Sequence, residues 1–219
     1  MKQHRLSLGF VILMILSSCV KQPEADVQSQ ATIARFRALE IQQYEGKLLD
    51  PAVGPRDNSI TGVQHININQ YQLKITGLVT TKLSLSYPDV LKLTSYQRLI
   101  TLHCVEGWEA TILWEGVLLS DLINLSKPLN NAITVIFHAA DGYTTSLPYS
   151  TIIDNHLILA YKANGIDLPP EMGYPFIVVA ENKYGYKWAR WVTEIELSSN
   201  TTYQGYWEKM GYDNNGDIN

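Results

Sequence analysis

The segment Leu102-His103-Cys104-Val105-Glu106-Gly107-Trp108 gathers a thiol, a carboxyl two residues on and an imidazole next door. A thiolate is a soft metal ligand and also a nucleophile, and a nearby carboxyl can relay protons. If a strand runs through 106, its period of two puts Cys104 and Glu106 on one face and turns His103 away from the thiol. A buried structural cysteine is the plainer alternative, and the residue types alone leave it open. The rest of the chain offers little competing chemistry. His65, His103, His138 and His156 show no HxxxH or HxH spacing, and there is no Cys-x-x-Cys to suggest zinc. Nucleophile-elbow, P-loop and dinucleotide-binding glycine patterns are missing.

The elements that must position these residues read as short strands and short helices. The 219 residues, 46% of them hydrophobic and 17% charged, suffice for one domain with a sizeable core and exclude a disordered tail, a coiled coil or a collagen-like repeat. Tyr71, Leu73 and Ile75 alternate with polar residues up to Gly77 and predict a half-buried strand. Ser86-Tyr87-Pro88-Asp89 predicts a helix start, with a capping serine, an early proline and a first-turn acid. Further strands are expected at 99–104, 111–114, 133–137, 143–147, 176–180 and 191–197, with a turn at Asp141-Gly142 and a helix at 118–125. Residues 20–38 read as a polar tether running into a short helix. Without a regular βαβ rhythm, the class is α+β with mixed sheets.

The chain has two cysteines, which excludes a multi-disulfide scaffold. Lys2 and Arg5 precede an apolar run at 6–16, too short to cross a bilayer, and then Leu16-Ser17-Ser18-Cys19. This layout is that of an export signal, and its end resembles the lipobox of bacterial lipoproteins, in which the cysteine is acylated. Cys19 is therefore expected to be the lipid anchor of a periplasmic or cell-envelope protein. The expected organisation is a signal at 1–18, a lipidated tether at 19–44, a domain at 45–212 and a flexible tail at 213–219. Losing Lys2 and Arg5 from 17 basic residues, against 21 acidic ones, leaves a net charge of −6. A nucleic-acid partner is not expected. With Cys19 acylated, Cys104 has no partner thiol in the chain.

Cys104-Val105-Glu106-Gly107-Trp108, followed by Leu113-Trp114-Glu115-Gly116-Val117-Leu118, resembles the core of the sulfite-oxidase-type molybdopterin-binding domain. It is most like the bacterial periplasmic catalytic subunits that reduce methionine sulfoxide in proteins. Asp141-Gly142-Tyr143, Leu168-Pro169-Pro170-Glu171-Met172-Gly173-Tyr174-Pro175, Lys183-Tyr184-Gly185-Tyr186-Lys187, Arg190-Trp191-Val192 and Ile195-Glu196-Leu197 follow in that family's order. The resemblance implies a sulfite-oxidase-like fold and Mo-molybdopterin as cofactor. Cys104 matches the molybdenum-binding thiolate, Glu106 a carboxyl near the metal, and Asn58 an asparagine that contacts the pterin. Gly185-Tyr186-Lys187 matches a cofactor-binding turn in which the lysine meets the phosphate, flanked by Lys183 and Tyr184. The implied reaction is two-electron oxygen-atom transfer on a sulfoxide or small oxo compound, free or protein-bound, with an electron-transfer partner.

Three positions depart from the family pattern. Ile177 stands where an arginine is usual, Met172 where close relatives have an asparagine, and Ala139 near a threonine position. Ile177 argues against sulfite as substrate, and Arg190 or Arg56 is the candidate to compensate. The signal has only Arg5, preceded by His4, in place of the twin arginines of folded export. These departures support a second reading, a cofactor-free extracytoplasmic binding or interaction module. A third is a thiol enzyme using Cys104 with Glu106 or His103. A cleft ending at the Cys104 sulfur, lined by Lys187 and the Gly185 turn, favours the enzyme; one filled by Met172 and Ile177 favours the module.

Overall fold

The computed structural model describes residues 26–218. The expected signal and Cys19 lie outside them. Among the described residues no helix is long and apolar enough to cross a membrane.

Two five-stranded sheets carry the fold. In the first, the order is Thr144–Pro148, Thr134–Ala139, Val192–Ser198, Leu73–Gly77 and Leu83–Leu85. Val192–Ser198 runs antiparallel to Thr134–Ala139 and parallel to Leu73–Gly77, so the sheet is mixed. The Asp141-Gly142 turn closes an antiparallel hairpin between Thr134–Ala139 and Thr144–Pro148. Leu73 and Ile75 are buried while Lys74 is exposed, as the alternation predicts. The expected helix start is also found: Tyr87–Val90 carries a capping box between Ser86 and Asp89.

In the second sheet, Ser95–His103 pairs with Glu109–Leu118 in continuous register, from Ser95 opposite Val117 to His103 opposite Glu109. Ile158–Ala163 flanks Glu109–Leu118 on the other side and also pairs with Ile177–Val179 and Ile166–Asp167. Side chains of both sheets merge in one core that includes Trp114, Phe137 and Phe176. The rise along Glu109–Leu118 separates the two ends of this sheet by about 30 Å. The helix Leu119–Asn124 follows at one end, and the turn after His103 opens at the other.

Two parts of the expected organisation differ from the structure. From residue 26, the segment expected to be a tether is docked. Asp26–Val27 pairs with Arg56–Asp57, and the helix Gln30–Arg37 follows. The buried Glu40 carboxylate accepts from Arg37, from the Ala52 backbone N–H and from Asn164 Nδ2. Burying that charge is tolerable because its lone pairs are satisfied. The segment 213–218 is not a loose tail either: it lies along the 183–187 turn. The Tyr184 N–H donates to the Gly216 carbonyl at 2.8 Å, and Lys183 pairs with Asp217. A polar, glycine-containing sequence reads as a tail, but the buried amines of the turn need its acceptors.

Candidate active site

Cys104 follows the last residue of the strand Ser95–His103 and opens a tight turn, not a continued strand. The Gly107 N–H donates to the Cys104 carbonyl at 3.0 Å, and the Cys104 N–H to the Trp108 carbonyl at 2.9 Å. Gly107 sits at φ +85°, a left-handed conformation that favours glycine. The turn folds Glu106 back, so it reaches the thiol without strand alternation. Cys104 Sγ lies 3.8 Å from Glu106 Oε2, which also accepts from Trp108 Nε1 at 3.2 Å. From the other side Asn58 Nδ2 approaches Sγ at 3.9 Å. Burial pushes the Cys104 thiol above its ordinary pKa, reinforced by the negative charge of Glu106 and opposed by Asn58 and the Glu106 backbone.

Asn58 is placed by its neighbours. Asp57 Oδ1 accepts from the Ser59 N–H at 3.0 Å and from Arg190 Nη2 at 2.9 Å. Asp141, in the hairpin turn, accepts from the Ile60 N–H at 3.2 Å. Arg190 Nη1 also donates to the Glu171 carbonyl at 2.8 Å, and its guanidinium lies 4.3 Å over the Trp191 ring. Gly173, at φ +112°, passes so close that a Cβ there would lie 2.8 Å from Arg190 Cβ. Burial pulls Arg190 below its ordinary pKa, and Asp57 opposes that pull.

These residues surround a cleft that has Cys104 in its lining. Gly54, Arg56 and Asn58 line one side, Gly185, Trp188 and Arg190 another, with Leu102, Trp108, Glu171, Met172 and Ile177 completing the wall. Met172 and Ile177 form part of this wall, beside the two arginines. Both candidate compensating arginines, Arg56 and Arg190, line it. The donor set fits an anionic, sulfur-bearing cofactor: a soft thiol, two guanidinium groups, and apolar and indole surface for a flat ring. Glu171 Oε2, at the wall, is buried without a hydrogen-bond partner in the protein.

The expected cofactor turn divides. Gly185 lines the cleft, but Lys187 does not: its amine is fully buried 2.6 Å from Glu208 Oε1 and donates to the Asn214 carbonyl at 2.8 Å. The carboxylate of Glu208 outcompetes any role for this amine at the cleft. Tyr186 turns outward, with its hydroxyl donating to the Asp213 carbonyl at 2.8 Å, and its own carbonyl accepts from the Tyr143 hydroxyl. His103 turns to Glu109 across the hairpin, Nδ1 to Oε2 at 3.1 Å, so it does not serve as a base for the thiol. Among the described residues no cluster of three His, Cys, Asp or Glu side chains could hold a metal by itself, so a metal here would need ligands beyond Cys104. Sequence reasoning missed the Asp57–Arg190–Glu171 connection. Its one sequence signal was the position of Glu171 and Arg190 inside motifs quoted for other reasons.

Residues 60–207 match the family model of the oxidoreductase molybdopterin binding domain. The chain is 34% identical over 152 residues to the uncharacterized oxidoreductase YuiH of Bacillus subtilis, covering 69% of this chain and 76% of that protein. It is 26% identical over 168 residues to the protein-methionine-sulfoxide reductase catalytic subunit MsrP of Campylobacter jejuni, covering 68% of this chain and 57% of that one. Among solved structures, the sulfane dehydrogenase SoxCD of Paracoccus pantotrophus superposes with a TM-score of 0.62 at 19% identity. That match spans 89% of this chain and 56% of the other and establishes the likeness of fold.

Proposed function

We propose a specific role for this chain, which belongs to the oxidoreductase molybdopterin binding domain family and is a molybdenum-dependent oxidoreductase using molybdenum-molybdopterin. It transfers oxygen atoms on a sulfoxide, free or on a protein side chain, outside the cytoplasm, tethered to a membrane through a lipid on Cys19. An electron-transfer partner completes the cycle. The observation that carries this reading is a cleft lined by Cys104, whose sulfur has Asn58 on one side and Glu106 on the other. The sulfoxide is taken from the likeness to MsrP, and the tether from Leu16-Ser17-Ser18-Cys19.

When bound, the cofactor supplies two-electron oxygen-atom chemistry. The chain's own groups do the rest. Cys104 would hold the metal, since a coordinating cation removes the proton that burial otherwise keeps on the thiol. Arg56 and Arg190 would hold anionic groups of the cofactor. Glu106, held by the Trp108 indole, stands where it can hold or move a proton beside the sulfur. Trp108 and Trp188 add indole surface to the same cleft.

Protein purified from its native envelope tests the reading. Stoichiometric molybdenum, and sulfoxide reduction with an artificial electron donor, are expected. Molybdenum far below one per chain would sink it. Incorporation of labelled palmitate that persists in Cys19→Ser would remove the tether alone.

A further inference from the structure

Glu171 stands apart from the other polar groups of the cleft. It is the one carboxylate among the residues that line the cleft, and its Oε2 is buried with no partner in the protein. Its Oε1 faces Arg35 of the helix Gln30–Arg37 at 3.3 Å, and its backbone carbonyl is held by Arg190. A buried carboxylate oxygen is costly to leave without a donor, so its position calls for one. The next residue, Met172, and Ile177 opposite offer it no donor.

We propose that Glu171 is the receptor for the N–H edge of the pterin ring. Resting on the cofactor reading above, this adds which residue fixes the ring in this chain. A 2-amino-4-oxo pyrimidine ring carries an amide-type N–H and an amino group side by side, two donors that match a carboxylate, of which Glu171 is the one among the lining residues. Arg56 and Arg190 only donate, so they suit the phosphate and not that edge. Glu171 is thus a positioning residue for the cofactor's ring. Arg35, itself largely exposed, pairs only with the other oxygen.

Glu171→Gln is the test, because it keeps the shape and still accepts from Arg35 while placing an N–H₂ against the ring's donors. The readout is retention of pterin during dialysis, by fluorescence of the oxidised pterin, with molybdenum by mass spectrometry and the melting temperature of cofactor-free protein. Loss of one charge-assisted hydrogen bond predicts release about ten- to a hundredfold faster than wild type, with an unchanged cofactor-free melting temperature. Arg35→Ala, which a merely structural role for the pair would make equally harmful, is expected to retain pterin within a few-fold of wild type. Should Glu171→Gln fail to fold, Glu171→Asp, with the carboxylate drawn back by one carbon, is expected to release pterin at an intermediate rate. Wild-type retention in the variant that folds, or equal loss in Arg35→Ala, overturns the proposal while leaving the cofactor reading intact. Wild-type protein without pterin overturns both.

Discussion

Lys187 and Arg190 lie three positions apart on one stretch of chain, yet they enter opposite environments. Lys187 is closed off, fully buried against Glu208, with Thr145 Oγ1 on the same carboxylate oxygen at 2.6 Å and the 213–218 segment over it. Arg190 is braced by Asp57 and the Glu171 carbonyl, and it lines the same cleft as Cys104. A buried, paired cation surrounded by acceptors serves the fold, because its charge is already spent on its neighbours. A guanidinium has five donors, and two held by protein groups leave others for an anion. The charge pattern of the 183–190 segment thus separates a lock from a site.

Breaking the lock has the largest expected effect. Lys187→Met leaves Glu208 buried without its cation, at a cost of about 3–5 kcal/mol. That lowers the thermal midpoint by about 10 °C, measured by calorimetry. Lys187→Met with Glu208→Leu removes both charges and is expected to recover most of that loss. If Lys187→Met instead melts like wild type but sheds cofactor, the contrast between the two cations is reversed. On the other side, Arg190→Lys keeps the charge and loses the fork to Asp57 and Glu171. Its expected effect is on pterin retention, about tenfold, with a melting shift of only a few degrees.

Much of the fold was legible because local rules and tertiary packing agree. The alternation at 71–77, the Ser86 capping box and the Asp141-Gly142 hairpin depend on a few adjacent residues. The strand Ile158–Ala163 was not foreseen. It is buried almost throughout, between Glu109–Leu118 and Ile177–Val179, so it shows no alternation to read. At the site, Cys104 and Asn58 line one cleft and Glu106 lies beside the Cys104 sulfur, residues whose types and spacing the sequence offers. Lys187 was misplaced because its partners come from 208 and 214, and a one-dimensional pattern cannot show a contact made at that distance. The reason Glu106 meets Cys104 also differs: a glycine turn, not strand alternation, brings them together.

The smallest expected effect concerns the thiol without cofactor. Burial raises its pKa, so at pH 7–8 less thiolate is present than for an open cysteine, and alkylation by iodoacetamide is severalfold slower. The rate is expected to rise only as pH passes beyond the ordinary thiol range. Rapid stoichiometric alkylation of cofactor-free protein at neutral pH would revive a nucleophilic role for Cys104.

The most direct measurement is X-ray absorption at the molybdenum edge, on wild type and on Cys104→Ser purified from the native envelope. If Cys104 holds the metal, the variant shows one sulfur fewer around molybdenum, or loses the metal, while its melting temperature stays close to wild type. An identical sulfur shell at equal molybdenum content in the two proteins would contradict the assignment of Cys104 as metal ligand.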